Sequence, residues 1–157
     1  SFGTNWRMTE MQAIIGRIQL KRMSNWHNNR INNANKILEA AKKCKGLRVP
    51  VIPEHIEHAF YKCYVFLELK NLKNEWNRDK VIEEVNLLGV PCYFGACPEV
   101  YLEKSFDNTG FRPKSRLVNA KELGETSLMF LVHPTLTKDE IQKTCDAITT
   151  VMNLATK

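Results

Sequence analysis

One predicted helix is apolar on more sides than a single neighbour can cover, and that limits this chain more than any other feature. Thr9 and Gln12 stand in the S/T-x-x-E/Q relation of a capping box, so the helix starts at Glu10 and runs toward Met23. Met11, Ile14, Ile15 and Ile18 form one stripe at helical spacing. Ala13, Leu20 and Met23 widen that stripe beyond what a one-sided surface helix needs. Gly16, in mid-helix, is unfavourable by roughly 1 kcal/mol relative to Ala and points to close backbone approach. Protein is expected on several sides of this segment.

The rest of the chain alternates short strand and helix patterns. Residues 24–46 read as a second helix with Ile31, Ala34, Leu38 and Ala41 inward and Gly46 as its stop. Its opening half is rich in Asn, a mediocre helix former, so burial of one stripe has to hold it. A Pro-punctuated connection over 47–58 leads to the clearest strand, 59–70. There Tyr61, Cys63, Val65, Leu67 and Leu69 share one face, and Phe60, Lys62, Tyr64, Phe66 and Glu68 the other. Both faces are partly apolar, which suits a strand covered on both sides. Asn77 then caps a helix carrying Val81, Val85 and Leu88 and ended by Gly89. A short strand at 90–94, a brief helix within 98–106, a helix at 116–124 and a strand at 127–132 follow. Thr137 and Glu140 form a second capping box, opening a helix through Ile141, Cys145, Ile148 and Met152. The class is α+β: a small, largely antiparallel sheet with helices packed on it. The simplest parse is a helical arm over 1–45 and a compact domain over 46–157.

Composition narrows the function classes. With 157 residues, 43% apolar and 25% charged, the chain suits one soluble globular domain with a real core. No apolar run approaches the roughly 20 residues of a membrane span, and the start lacks a signal-peptide layout. Five cysteines at 44, 63, 92, 97 and 145 form no C-x-x-C pair, which suits reduced, mostly buried thiols in a cytoplasmic protein and argues against structural zinc. The net charge of +6 fits either a solvated basic surface or an anionic partner. The basic residues are dispersed, however, with no run of five like charges, so a nucleic-acid arm is poorly supported.

No glycine-rich phosphate loop, H-E-x-x-H or G-x-S-x-G motif is present. Three places stand out instead. Asn5 and Arg7 lie just ahead of a helix N-terminus, where free amides and the helix dipole favour anions; a polar lead-in that only caps its own helix fits equally well. The aromatics of "HAFYK" suit a core, or a pocket that includes His58. Tyr93, in the Gly/Pro-rich "GVPCYFGACPEVY", either lines a pocket or fills one. His133, at a strand end before Pro134, is a further pocket candidate beside an ordinary structural role.

Taken together, "GTNWRMTEMQAIIGRIQLKRM", "HAFYKCYVFLEL", "LGVPCYFGACPEVY" and "LGETSLMFLVHPTLTKDEI" resemble the C-terminal portion of the DegT/DnrJ/StrS-type sugar aminotransferases, which depend on pyridoxal 5'-phosphate. The family pattern G-x-N-x-R-M-x-[DE]-x-Q-A-x-I-G is met at Gly3, Asn5, Arg7, Met8, Glu10, Gln12, Ala13, Ile15 and Gly16. Trp6 stands where the family more often has Tyr, which keeps an aromatic platform and loses a hydroxyl.

The resemblance implies the small C-terminal domain of a type I fold, working as a homodimer through the helical arm. Asn5 is then expected to reach the cofactor phosphate of the neighbouring subunit, with Arg7 bracing the interface or meeting an acidic group. The implied substrates are a nucleotide-linked keto-sugar and glutamate, in amino-sugar or polysaccharide biosynthesis. The family's Schiff-base lysine, its aspartate for the pyridine nitrogen and its stacking aromatic all lie N-terminal to the matched region. The expectation is therefore no catalytic residue in this chain, no metal, and no transamination by it alone. Two other readings stand beside this one: a basic module that binds RNA or an acidic protein, and a stand-alone structural partner of a full-length enzyme.

Overall fold

In a computed structural model the described residues are 7–157. The two helices expected over 10–46 are one: α1 runs unbroken from Glu10 to Lys42 over 33 residues, a rod of roughly 50 Å. Its capping box is formed, with Gln12 N donating to Thr9 Oγ1 at 3.3 Å and Thr9 N to Gln12 Oε1 at 2.9 Å. The expected break at Met23 is absent because no Gly or Pro stands between Gly16 and Gly46. The Asn-rich stretch is held by more than an apolar stripe. His27, Arg30 and Asn33, spaced three apart on one side of the helix, donate to the carbonyls of His58, Tyr61 and His133 at 3.1, 3.2 and 3.3 Å.

The two halves of α1 differ. Ala34, Ile37, Leu38 and Ala41 are buried in the core, with Ile31 partly buried against it. The first half is bare in this chain: Met11 is 76% exposed, Ile15 56% and Leu20 66%. The space where a Cβ on Gly16 would stand has no atom within 4 Å, so no described residue makes the close approach expected there.

The sheet has the order β1-β2-β4-β3 and is antiparallel throughout. Its strands are β1 (Leu47–Arg48), β2 (Cys63–Leu67), β3 (Cys92–Tyr93) and β4 (Ser127–Phe130). Pairing of Cys63 and Cys92 with Phe130, and of Val65 with Leu128, sets one continuous apolar face. That face joins the core formed with α1, α2 (Arg78–Leu87) and α4 (Lys138–Ala155). α2 starts at Asn77, whose side chain accepts from Lys80 N, and it buries Val81 and Val85. α4 opens with its capping box at Thr137 and buries Ile141, Cys145, Ile148 and Met152 among others.

The opposite face carries Tyr64, Phe66, Tyr93, Ser127 and Met129, and the excursion 94–126 with α3 (Val118–Thr126) lies over part of it. Ser127 Oγ donates to the Phe94 carbonyl at 2.6 Å, and Met129 is buried. Gly95, at φ 93°, lets its backbone lie so close to the Tyr64 ring that a Cβ would come within 2.5 Å of it. β2 is shorter than its sequence pattern. Leu69–Asn71 turns into a 3₁₀ segment, and Phe60 at φ 42° breaks the alternation, so that Phe60 is buried and Tyr61 exposed. That inverts the faces expected for these two residues.

All five cysteines are free; Cys44, Cys63, Cys92 and Cys145 are buried and Cys97 is exposed. Burial pushes the thiols of Cys63 and Cys92 up to about 12. Among the described residues there is no His/Cys/Asp/Glu group suited to a metal ion, and no helix is long and apolar enough to cross a membrane.

Candidate functional site

Of the two residues expected near a phosphate, Asn5 lies outside the described residues. Arg7 is exposed, two residues ahead of the α1 N-cap. The capping box takes the amides of Thr9 and Gln12 and leaves those of Glu10 and Met11, which can meet an anion together with side chains before the helix.

The pocket candidates are not gathered in one place. His58 Nδ1 accepts from Phe60 N at 3.0 Å, which leaves the ring proton on Nε2, and its ring lies 4.3 Å from that of Phe60. It borders a shallow groove with Pro50, Ile56, Lys62 and Tyr64. His133 pairs through Nδ1 with Thr135 Oγ1 at 2.8 Å. Both histidines abut α1 through their carbonyls, His58 at His27 and His133 at Asn33, about 9 Å apart along the helix axis. Tyr93 is 47% exposed on β3, paired with Met129 on the sheet face away from the core.

Two clusters were not foreseen. A cleft of about 390 Å³ is lined by Met23, Ser24, Trp26, His27, Arg30, Ala59 and Tyr61. The signal for it was the aromatic pair in "NWHNNR" and "HAFYK", but their meeting depends on α1 being unbroken and on the turn at Phe60. The second cluster ties down the excursion. Arg116 grips both carboxylate oxygens of Glu99, and the Tyr101 hydroxyl donates to Glu99 Oε1 at 2.6 Å while accepting from Leu117 N at 2.9 Å. These donors hold the Glu99 carboxyl down at about 2, the Arg116 contact contributing most. Arg112 adds bonds to the carbonyls of Tyr101, Leu102 and Glu103, at 2.9, 2.8 and 3.2 Å. Pairs separated by 17 residues in a loop carry no periodic signal, so this knot was invisible in the sequence.

Among the described residues every lysine is at least partly exposed. None is buried in the desolvated surroundings that lower the pKa of a lysine forming a covalent imine.

A family model for the DegT/DnrJ/EryC1/StrS aminotransferases matches residues 1–149. The fold superposes on an aminotransferase of Psychrobacter cryohalolentis with a TM-score of 0.92, at 59% identity, over 98% of this chain and 41% of that one. It superposes on S. venezuelae DesV, solved in complex with a ketimine intermediate, with a TM-score of 0.79 at 22% identity, over 97% of this chain and 38% of DesV. For DesI, solved in the presence of its TDP-sugar product, the TM-score is 0.77 at 20% identity, over 96% of this chain and 37% of DesI. The chain thus spans about 40% of the length of the first of these structures, matching their C-terminal part.

Proposed function

Since this chain belongs to the DegT/DnrJ/EryC1/StrS aminotransferase family, we propose that it is the C-terminal part of a pyridoxal phosphate-dependent enzyme that moves an amino group from glutamate to a nucleotide-linked keto-sugar. The match over residues 1–149, joined to 59% identity with a solved aminotransferase, carries this reading. The TDP-sugar product of DesI supports a nucleotide-linked substrate.

The residues present fit one side of a cofactor site. In the sequence Asn5 and Arg7 stand before the N-terminus of α1, where the capping box leaves the amides of Glu10 and Met11 and the helix dipole favours an anion. When bound, pyridoxal phosphate supplies the electron sink for transamination. In this reading Asn5 donates its amide to the phosphate held by the neighbouring subunit. Arg7 braces the same interface or meets an acidic group there. The lysine that holds the cofactor belongs to an N-terminal domain of the complete enzyme, and this chain alone does not transaminate. His58, Tyr93 and His133 stand apart in this chain, and in this reading each meets the substrate pocket of the complete enzyme at a different point. Residues 1–45 form the arm and 46–157 the small domain, with the second half of α1 seated on that domain. The bare apolar half of α1 supports a homodimer built through the arm, since an exposed stripe of this length is costly in water. The complete enzyme is cytoplasmic and works in amino-sugar or polysaccharide biosynthesis.

The test is to incubate the complete enzyme with pyridoxal phosphate, glutamate and a TDP-linked keto-sugar, and to follow amino-sugar and 2-oxoglutarate by mass spectrometry. Equal amounts of both products are expected, and their absence with every nucleotide-linked keto-sugar offered would contradict the reading. Asn5→Ala should weaken cofactor binding roughly ten- to a hundredfold, the size of a lost hydrogen bond to a charged group.

A further inference from the structure

The basic residues are dispersed along the sequence, but the fold collects a group of lysines at one end of the domain, where the C-terminal ends of α1 and α4 meet. Lys42 and Lys43 close α1 and Lys45 follows it. Lys70 and Lys73 join them from the 3₁₀ segment and the residues after it, and Lys157 from the chain beyond α4. Backbone bonds fix the meeting. Lys73 N donates to Ala155 O at 2.9 Å, Lys157 N donates to Asn71 O at 3.1 Å, and Leu72 bridges to Thr156. Side chains tighten it, with Lys45 Nζ donating to Lys157 O at 2.8 Å, Lys73 Nζ to Leu154 O at 2.7 Å and Lys157 Nζ to Lys70 O at 3.4 Å.

Capping of helix ends explains only part of this cluster. Lys73 serves the Leu154 carbonyl, one of those left open at the end of α4, and Lys45 and Lys157 serve carbonyls nearby. Lys42, Lys43 and Lys70 make no side-chain hydrogen bond or ion pair among the described residues, and none of the cluster is paired with a carboxylate. The acids close by in the chain are Glu39, Glu68 and Glu75, and Glu68 is turned to the Asn71 amide at 2.8 Å. Two helix C-termini add only about one elementary negative charge together. Gathering like charges in this way disfavours the compact state, so the cluster points to an anion outside the chain.

The surface selects the class of partner. Lysine ammoniums are point charges on flexible stems, without the bidentate fork that reads a nucleic acid. A single strand would also call for stacking rings, whereas the exposed side chains beside these lysines are Leu69 and Leu154. Lysines with apolar side chains among them suit an anionic lipid surface. The cluster lies roughly 30 Å along α1 from Met23, where the bare apolar half of the arm ends. We propose that this basic pole docks the protein on an anionic bilayer, with the lysines at the headgroups and Leu69 and Leu154 entering the interface. The proposal is independent of the aminotransferase reading.

Co-sedimentation of the complete enzyme with vesicles tests it. Binding is expected to vesicles of mixed phosphatidylcholine and phosphatidylglycerol, but not to phosphatidylcholine alone, and should weaken as salt rises. Lys70→Gln should lower the partition about fivefold, and Lys42→Gln, Lys43→Gln and Lys70→Gln together about a hundredfold. These three side chains bond nothing within the fold, so circular dichroism should be unchanged. Lys138→Gln, at the opposite end of α4, should leave the partition unaltered, and Leu154→Ser should weaken it. Equal or absent binding to the two kinds of vesicle, an unchanged partition in the triple variant or in Leu154→Ser, or a loss in Lys138→Gln equal to that in Lys70→Gln would each overturn the proposal. Tighter binding to single-stranded RNA than to the anionic vesicles, lost in the same triple variant, would assign the pole to nucleic acid and overturn it as well.

Discussion

Arg116 closes on the carboxylate of Glu99 through both of its oxygens, tying the two ends of a segment that otherwise has only short 3₁₀ turns. The Glu99 side chain is only 11% exposed, so its charge depends on this grip and on Tyr101. The folded carboxyl titrates at about 2, below its ordinary 4.5. A depressed carboxylate adds stability that is complete above the unfolded value and is lost as pH falls toward the folded one. Amide hydrogen exchange over 98–117 should therefore be unchanged from pH 7 to about 5 once corrected for intrinsic rates, and protection should fall between about 4.5 and 2. Glu99→Gln should show that looser segment already at pH 7, with α4 unaffected.

The two halves of α1 should respond oppositely to substitution. Ile37 is fully buried, so Ile37→Ala is expected to cost about 2–5 kcal/mol in urea unfolding. Ile14 and Ile18 are 59% and 45% exposed, and their replacement by Ser should shift the stability of the chain by no more than about 0.5 kcal/mol. If the arm makes a homodimer in the complete enzyme, the same two changes should shift that enzyme toward monomer in sedimentation.

Thiol chemistry should separate the cysteines cleanly. Cys63 and Cys92 are buried with thiols at about 12, while Cys97 is exposed. A disulfide reagent at pH 8 should label Cys97 first and reach the other four only with denaturant, because the thiolate is the reactive form. Rapid labelling of Cys63 in the folded chain would contradict the packing of β2 against the helices.

What the sequence made legible follows from how local each signal is. Both capping boxes and the Asn77 cap rest on residues three apart, and all three are formed. The inner face of α4 and the positions of Val81 and Val85 on α2 follow from periodicity alone, whereas Leu88, expected on the same face, falls at the C-cap and is 43% exposed. β1 was hidden in the Pro-punctuated connection because two residues carry no alternation, and only pairing of Leu47 with Leu67 defines it. The continuity of α1 across Met23 is marked in the sequence only by the lack of Gly and Pro between Gly16 and Gly46, and the His58, Tyr61 and His133 carbonyls that accept from its middle come from distant segments. The reversal at Phe60 was missed because a left-handed Phe leaves no mark in composition. The candidate site was legible only in part. His58 and His133 reach α1 through backbone atoms and Tyr93 stands elsewhere, whereas Trp26, Arg30 and Tyr61 meet only in three dimensions.

The central claim is that this chain contributes contacts to a cofactor site and not the lysine that binds the cofactor covalently. Borohydride reduction of the complete enzyme with pyridoxal phosphate, followed by peptide mapping, tests it directly. The account predicts one stoichiometric phosphopyridoxyl-lysine, in a peptide outside residues 1–157. A stoichiometric adduct on a single lysine within these residues would contradict it.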